Sequence, residues 1–407
     1  MTYDELLSAI ECLKKEIAIN QEILNNFQAF KNDPATITGD QEFDLLDPAT
    51  KKKKVYNRIR SIQAKIDKAK ADLDHYENEV LQPLLQKKKE LGGCKVHAII
   101  NAKGGTGKST IAASLAYTLA HKGYKVLAID SDSQSSLTQL LNVYSASEEE
   151  PVLNLTDIYT EYFEGERKVW NSAKQVVCKP VYEERSLDGD VGTGKLKTEY
   201  IPFGFDLIPA DIQLAKADID IARVPNGAYL LYWLVKEIKE NEDYDFILID
   251  CPPALTTLAY NAITASTDGV IVPINLSPMV LRSTRYLVGA VQYVQERFPK
   301  HLVHKGILGL VKNEYNKNRK ITKSLDELVR DFFPIHSFET VIPQRTACAD
   351  AEWSGRIFAQ YPTIIKEGFF DRLCDEIIEE DIRRKGEEKT IIVEKVSIDE
   401  RMVKKGE

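Results

Sequence analysis

The chain has 407 residues, 43% of them hydrophobic, which is enough for a sizeable core and, by length, for two or three domains. Its net charge is −8, so any nucleic-acid contact has to be a local basic patch on an acidic molecule. Six cysteines lie far apart, with no C-x-x-C and no paired Cys/His spacing, which argues against a metal centre or a disulfide framework. No apolar run approaches the ~18 residues that span a bilayer, and the N-terminus lacks a signal-peptide pattern. The expectation is a soluble cytoplasmic protein.

Residues 3–30 place Leu6, Ile10, Leu13, Ile17, Leu24 and Phe27 at heptad-like spacing, which predicts a long helix. Asp33-Pro34, Gly39-Asp40 and Asp47-Pro48 then break the pattern. A second stripe runs through Val55, Ile59, Ile62, Ile66, Ala69, Leu73, Tyr76 and Val80, with Pro83 predicted to kink or interrupt it. Residues 1–93 therefore read as a helical hairpin or coiled-coil extension, either packed on itself or serving as a dimerising or partner-binding arm. Lys51-Lys52-Lys53-Lys54 reads as a solvated helix start, with a DNA contact as the other reading.

From residue 94 to 384 strand-like and helix-like segments alternate, which calls for an α/β fold: a doubly wound, mostly parallel sheet with helices on both faces. Predicted strands are 95–100, 125–130, 205–210, 244–250, 269–274, 306–312 and 338–342, and a last helix covers 362–384. Residues 145–200 read as an insertion or elaborated connection, with an exposed turn at 188–194. Residues 385–407 read as a charged tail in which 390–396 could form an edge strand.

The chemistry concentrates where the strand at 95–100 runs into Lys103-Gly104-Gly105-Thr106-Gly107-Lys108-Ser109-Thr110 and then a helix. Strand, glycine loop and helix N-terminus aim backbone N–H groups and a helix dipole at a phosphate chain. Lys108 would reach the β/γ-phosphates, and the Ser109 hydroxyl would bind Mg²⁺. Asp130, in Asp130-Ser131-Asp132-Ser133-Gln134, ends the next predicted strand, and Asp250, before Cys251-Pro252-Pro253, ends a later one. Acids at these strand ends lie where a doubly wound sheet binds ligands, and Asp250 has the Walker B position for Mg²⁺. Cys251 reads as a small packing residue.

Ala102 stands where the strict P-loop pattern has glycine, and Lys103 is an extra lysine opening the loop. This loop resembles the deviant Walker A loop of the ParA/MinD family of ATPases, and Asp130–Gln134 resembles that family's switch I, with Ser133 in place of proline. The resemblance covers roughly 95–380, apart from 145–200. It implies a P-loop NTPase fold, ATP and Mg²⁺, and a homodimer in which Lys103 reaches the partner's nucleotide. It makes Lys103, Lys108 and Asp132 catalytic, Asp132 positioning the attacking water, and gives Asp130 a role in the Mg²⁺ shell beside Ser109 and Asp250. Gly309–Asn316 and Val341-Ile342-Pro343 resemble the base-proximal segments, making Asn313 and Pro343 candidate ATP contacts. Arg282, Arg285, Lys317, Arg319, Lys320 and Lys323 are candidates for non-specific DNA binding. The implied task is plasmid or chromosome partition with a ParB-like adaptor, at the nucleoid if DNA is bound. A MinD-like membrane-cycling regulator and an ATP-switched scaffold working through the N-terminal arm are the alternatives. The 4-3 repeats before residue 92 do not look like the winged helix-turn-helix with which some members of that family read an operator.

Overall fold

The computed structural model describes residues 1–32, 38, 40–143, 152–163, 174–187, 196–275, 277–299, 303–316, 329 and 336–386. The chain divides into two compact units, Met1–Glu90 and Leu91–Glu407.

The first unit is helical. Helix α1 (Tyr3–Asn32) is followed by a single turn, α2 (Gln41–Asp44), and then α3 (Pro48–Asp74). Asp47 caps α3 by accepting from the N–H groups of Ala49 and Thr50, and Pro48 occupies a first-turn position where its missing N–H costs nothing. Lys14 pairs with Glu77 at 2.7 Å, and Lys31 lies over the Tyr56 ring while Lys88 lies over Tyr3. Contacts that fall in sequence on one side as they rise on the other mean the helices run antiparallel. Their seam buries Leu24, Phe27, Phe30, Val55, Ile62 and Ile66 around Phe43 of α2, whose ring meets Phe27 edge-on at 4.7 Å. Burying each such large apolar side chain contributes at most roughly 2–3 kcal/mol.

The second helix is interrupted ahead of Pro83, one of the two outcomes expected there. The chain widens into a π-helical segment at His75–Leu81, where the N–H of Gln82 donates to Glu77 O, and resumes as α4 (Gln82–Leu91). The wider turn places Pro83 in the first turn of a new helix, where a missing N–H is tolerated.

The second unit is built on seven parallel strands: β1 (Lys95–Ile99), β2 (Val126–Asp130), β5 (Asp206–Ile208), β6 (Phe246–Asp250), β7 (Gly269–Ile274), β8 (Ile307–Tyr315) and β9 (Ser337–Pro343), in the order β5-β2-β6-β1-β7-β8-β9. Strands β1, β2, β6 and β7 are buried along their whole length, as continuous apolar runs covered on both faces require. The helices used below are α5 (Lys108–His121), α6 (Ser136–Leu140), α7 (Leu155–Phe163), α8 (Leu214–Ile221), α9 (Leu230–Asn241), α10 (Thr257–Ala265), α11 (Pro278–Arg297), α12 (Ala347–Ser354), α13 (Pro362–Glu367) and α14 (Phe369–Arg383).

The single helix expected over 362–384 is two helices. Gly368, at φ 63°, takes a left-handed conformation that ends α13 and starts α14. The second piece is tied to the sheet by a buried pair, Asp381 Oδ2 lying 2.9 Å from His97 Nε2 on β1. Burial disfavours the imidazolium, but Asp381 outweighs it and holds the His97 pKa above its ordinary value.

Within 145–200 the described residues form α7 and an antiparallel hairpin, β3 (Val181–Leu187) and β4 (Leu196–Pro202). The turn expected at 188–194 and the edge strand expected at 390–396 lie outside the described residues.

Candidate active site

Strand order decides where the loop sits. β1 lies between β6 and β7, and its chain turns out of the sheet at the carboxyl edge into residues 100–107. Helix α5 starts at Lys108 and has no acidic side chain in its first turn to neutralise the dipole's positive end. Gly107 precedes it at φ 79°, and a Cβ there would stand 2.3 Å from the Asn313 amide nitrogen. Both its conformation and its surroundings exclude a side chain. Lys108 is buried, its Nζ donating to Lys103 O at 3.5 Å, and Thr106 Oγ1 donates to the same carbonyl at 3.4 Å. The loop therefore folds back over its own lysine. The Lys103 side chain is half-buried and makes no hydrogen bond or ion pair among the described residues.

The expected carboxylates converge on this loop. Parallel pairing sets Asp130 and Asp250 opposite each other at the ends of β2 and β6. Asp130 is fully committed to its own segment. Its Oδ2 accepts from Thr138 N (2.8 Å) and Oγ1 (2.7 Å), and its Oδ1 accepts from Asp132 N at 3.1 Å. These bonds shape the 130–138 loop. Burial pushes the Asp130 pKa up to about 6 against the lowering effect of the Thr138 bonds. Asp132 is 5% exposed, and its Oδ1 accepts from Gln134 N at 2.9 Å.

Asp250 differs from both. It is fully buried, and among the described residues neither carboxylate oxygen has a partner within hydrogen-bond geometry, although the Ser109 hydroxyl is close enough to influence it. Burial, then the negative charge of Asp130, raises its pKa well above the ordinary range, and the neighbouring Ser109 hydroxyl and Lys108 ammonium offset only part of this. A buried carboxylate left without a partner is costly unless a cation or a donor completes it. The donor set, a carboxylate and a hydroxyl at the mouth of a phosphate loop, fits a hard divalent ion that keeps most of its waters. Cys251 is buried, its thiol pKa raised by burial, and it packs as expected rather than reacting.

Sequence reading named Asn313 as an ATP contact but missed Asn275 and Asn101, and it missed how these amides hold the loop in shape. Asn313, expected to face the base, donates from Nδ2 to Thr106 O at 2.9 Å and so braces the phosphate loop itself. Asn275, just past the end of β7, lies 3.5 Å from Gly105 O and 3.3 Å from Glu314 Oε2. Asn101 donates to Pro273 O at 2.8 Å and accepts from Ser283 Oγ at 3.2 Å. All three are amides at strand carboxyl ends beside the loop, the one signal that could have flagged them.

Ser283 also places α11 beside the loop, and Arg282 and Arg285 on that helix are exposed. Lys317, Arg319, Lys320 and Lys323 lie outside the described residues. Pro343 ends β9, opposite Tyr315 of β8. A groove of about 510 Å³ runs beside the 130–138 loop, with Gln134, Thr138 and Gln139 on one wall and Asn154 and Asp157 at the start of α7 on another. The α7 region of the insertion thus flanks the segment that carries Asp132.

Sheet order, phosphate loop and paired strand-end acids define a P-loop nucleotide-binding protein. Residues 94–304 match a family model described as an AAA domain. The chain is 31% identical to the sporulation initiation inhibitor protein Soj of Bacillus subtilis over 267 residues, spanning 66% of this chain and 91% of Soj. It is 29% identical to the chromosome partitioning protein ParA of Caulobacter vibrioides over 262 residues, 64% of this chain and 85% of ParA. Among solved structures, the ATP complex of an aspartate-to-alanine variant of Cyanothece McdA shares the fold at a TM-score of 0.53 and 24% identity, covering 69% of this chain and 97% of McdA. The chain belongs to the ParA/MinD family of P-loop ATPases.

Proposed function

We propose that this chain is a Mg²⁺-dependent ATPase that dimerises around two ATP molecules and, in that state, binds DNA without sequence preference. Its task is plasmid or chromosome partition with a ParB-like adaptor, in line with the partition roles named for its relatives. The observation that carries the reading is Asp250, a buried carboxylate with no hydrogen-bond partner among the described residues, beside Ser109 and Lys108.

Phosphoryl transfer to water asks the protein for positioning and charge rather than covalent chemistry. The backbone N–H groups of Gly104–Ser109 and the α5 dipole cradle the β- and γ-phosphates, and Lys108 offsets their charge. Ser109 and Asp250 would hold Mg²⁺, with Asp130 fixing the loop behind them. When bound, Mg²⁺ supplies positive charge to the phosphate oxygens in a site shielded from bulk water. Asp132 orients the attacking water, its carboxylate steadied through Gln134 N–H. Lys103, whose side chain has no partner in its own chain among the described residues, reaches the nucleotide of a second copy. Pro343, near the base, and Asn313, through the loop it braces, complete the ATP contacts. Arg282 and Arg285 lie exposed on one helix and contact DNA phosphates.

Retention on random-sequence DNA is expected to be stronger with ATP than with ADP, and Arg282→Ala/Arg285→Ala should remove that ATP-dependent increment while leaving ATP binding intact. Sedimentation with liposomes is the matching control. ATP-dependent liposome binding without DNA retention would favour the membrane-cycling alternative and overturn the partition reading.

A further inference from the structure

Helix α3 carries nine basic residues against three acidic ones, on a chain whose net charge is −8. The bases are not scattered. Lys51, Lys54, Arg58, Ser61, Lys65 and Lys68 follow one another at alternating spacings of three and four, which places them along one side of the helix. At 100° per residue this line lies roughly a quarter-turn from the buried seam of Val55, Ile62 and Ile66. Lys54, Lys65 and Lys68 are exposed, and neither they nor Lys51 makes an ion pair among the described residues. Arg58 is committed to Asp40, at 2.9 Å, and Glu42. Asp72 is the acid that ends the line. Near its start, Lys54, Asn57, Arg58 and Ser61 form one wall of a groove of about 490 Å³.

We infer that this side of α3 is a second, nucleotide-independent contact for the phosphate backbone of duplex DNA. These four cations on one rod make no ion pair among the described residues, and their mutual repulsion is a cost that a polyanion would remove. From Lys51 to Lys68 the helix rises about 26 Å, which matches about seven or eight base pairs of duplex at 3.4 Å each. The line carries no aromatic side chain on which an unpaired base could stack, so it suits a duplex rather than a single strand. Lysines contacting phosphates position a protein without reading sequence. An anionic membrane would meet the same charge, but Val55, Ile62 and Ile66 of α3 are used in the hairpin core, and the exposed Tyr56 lies under Lys31, off this line. The contact does not depend on the ATP state, so its failure leaves the partition reading standing.

The test uses the full chain without nucleotide, titrated onto a random-sequence duplex at salt concentrations between about 50 and 200 mM. Wild type should bind, with log K falling linearly in log salt. Lys54→Gln/Lys65→Gln/Lys68→Gln should lose at least about tenfold in affinity, and its salt slope should become shallower by about 2.7. Exposed residues are replaced, and unchanged far-UV circular dichroism would show that the hairpin is intact. Lys216→Gln/Lys236→Gln/Lys366→Gln removes the same net charge elsewhere and should stay within about twofold of wild type. Absence of nucleotide-free binding would overturn the inference. So would an equal loss in the two triple variants, or stripe-dependent binding to phosphatidylserine vesicles with none to DNA.

Discussion

Lys108→Ala is expected to weaken ATP binding by about 100-fold or more, the scale on which removing one member of a buried charged contact costs affinity. The ammonium is buried at the first turn of α5, donates to Lys103 O, and its charge lowers the Asp250 pKa. Its removal would take away the charge that, in the proposed function, meets the β/γ-phosphates. It also removes one of the two groups that favour ionised Asp250, so the carboxylate becomes a poorer metal ligand at the same time. Calorimetric titration measures the effect directly, and an affinity close to that of wild type would contradict the phosphate-cradle assignment.

Asp132→Ala should do the opposite. Its carboxylate accepts from Gln134 N and makes no hydrogen bond or ion pair with the Lys108 loop among the described residues, so ATP affinity should stay within about twofold while turnover falls by about 10²–10⁴, the range for a positioned catalytic carboxylate. Asp130 holds the Asp132 N–H and Thr138 in place, which keeps that loop folded when the Asp132 side chain is gone. Phosphate release under single-turnover conditions separates the two effects. Turnover at the wild-type rate would end the assignment of Asp132 to water positioning.

The parts of this site legible in the sequence are those set by local chain geometry. A buried parallel strand must be apolar throughout, so β1, β2, β6 and β7 stood out, and a glycine loop with Lys108 and Ser109 between strand and helix has few other uses. Asp130 and Asp250 were visible because each ends such a run. What the sequence hid depends on contacts distant along the chain. Nothing near Asn313 says that its amide braces Thr106, and nothing near Asn275 says that it meets Gly105. Pro83 is a helix breaker by composition, yet a π-helical turn absorbs it, because a wider turn needs only local slack. Gly368 was hidden inside an otherwise helical pattern, its left-handed conformation expressed only in the path of the chain. The lysines of α3 were visible as a run of four, but their alignment with Lys65 and Lys68 emerges only once the helix is continuous across them.

In the proposed function, Lys103, rather than the loop's general resemblance to a phosphate cradle, makes this ATPase a dimeric switch. Light scattering of the full chain with a non-hydrolysable ATP analogue and Mg²⁺ tests it most directly. Wild type should shift from the mass of one 46.0 kDa chain to that of two, whereas Lys103→Ala should remain at one chain while still binding the analogue. A full shift to the dimer mass in Lys103→Ala would contradict the account.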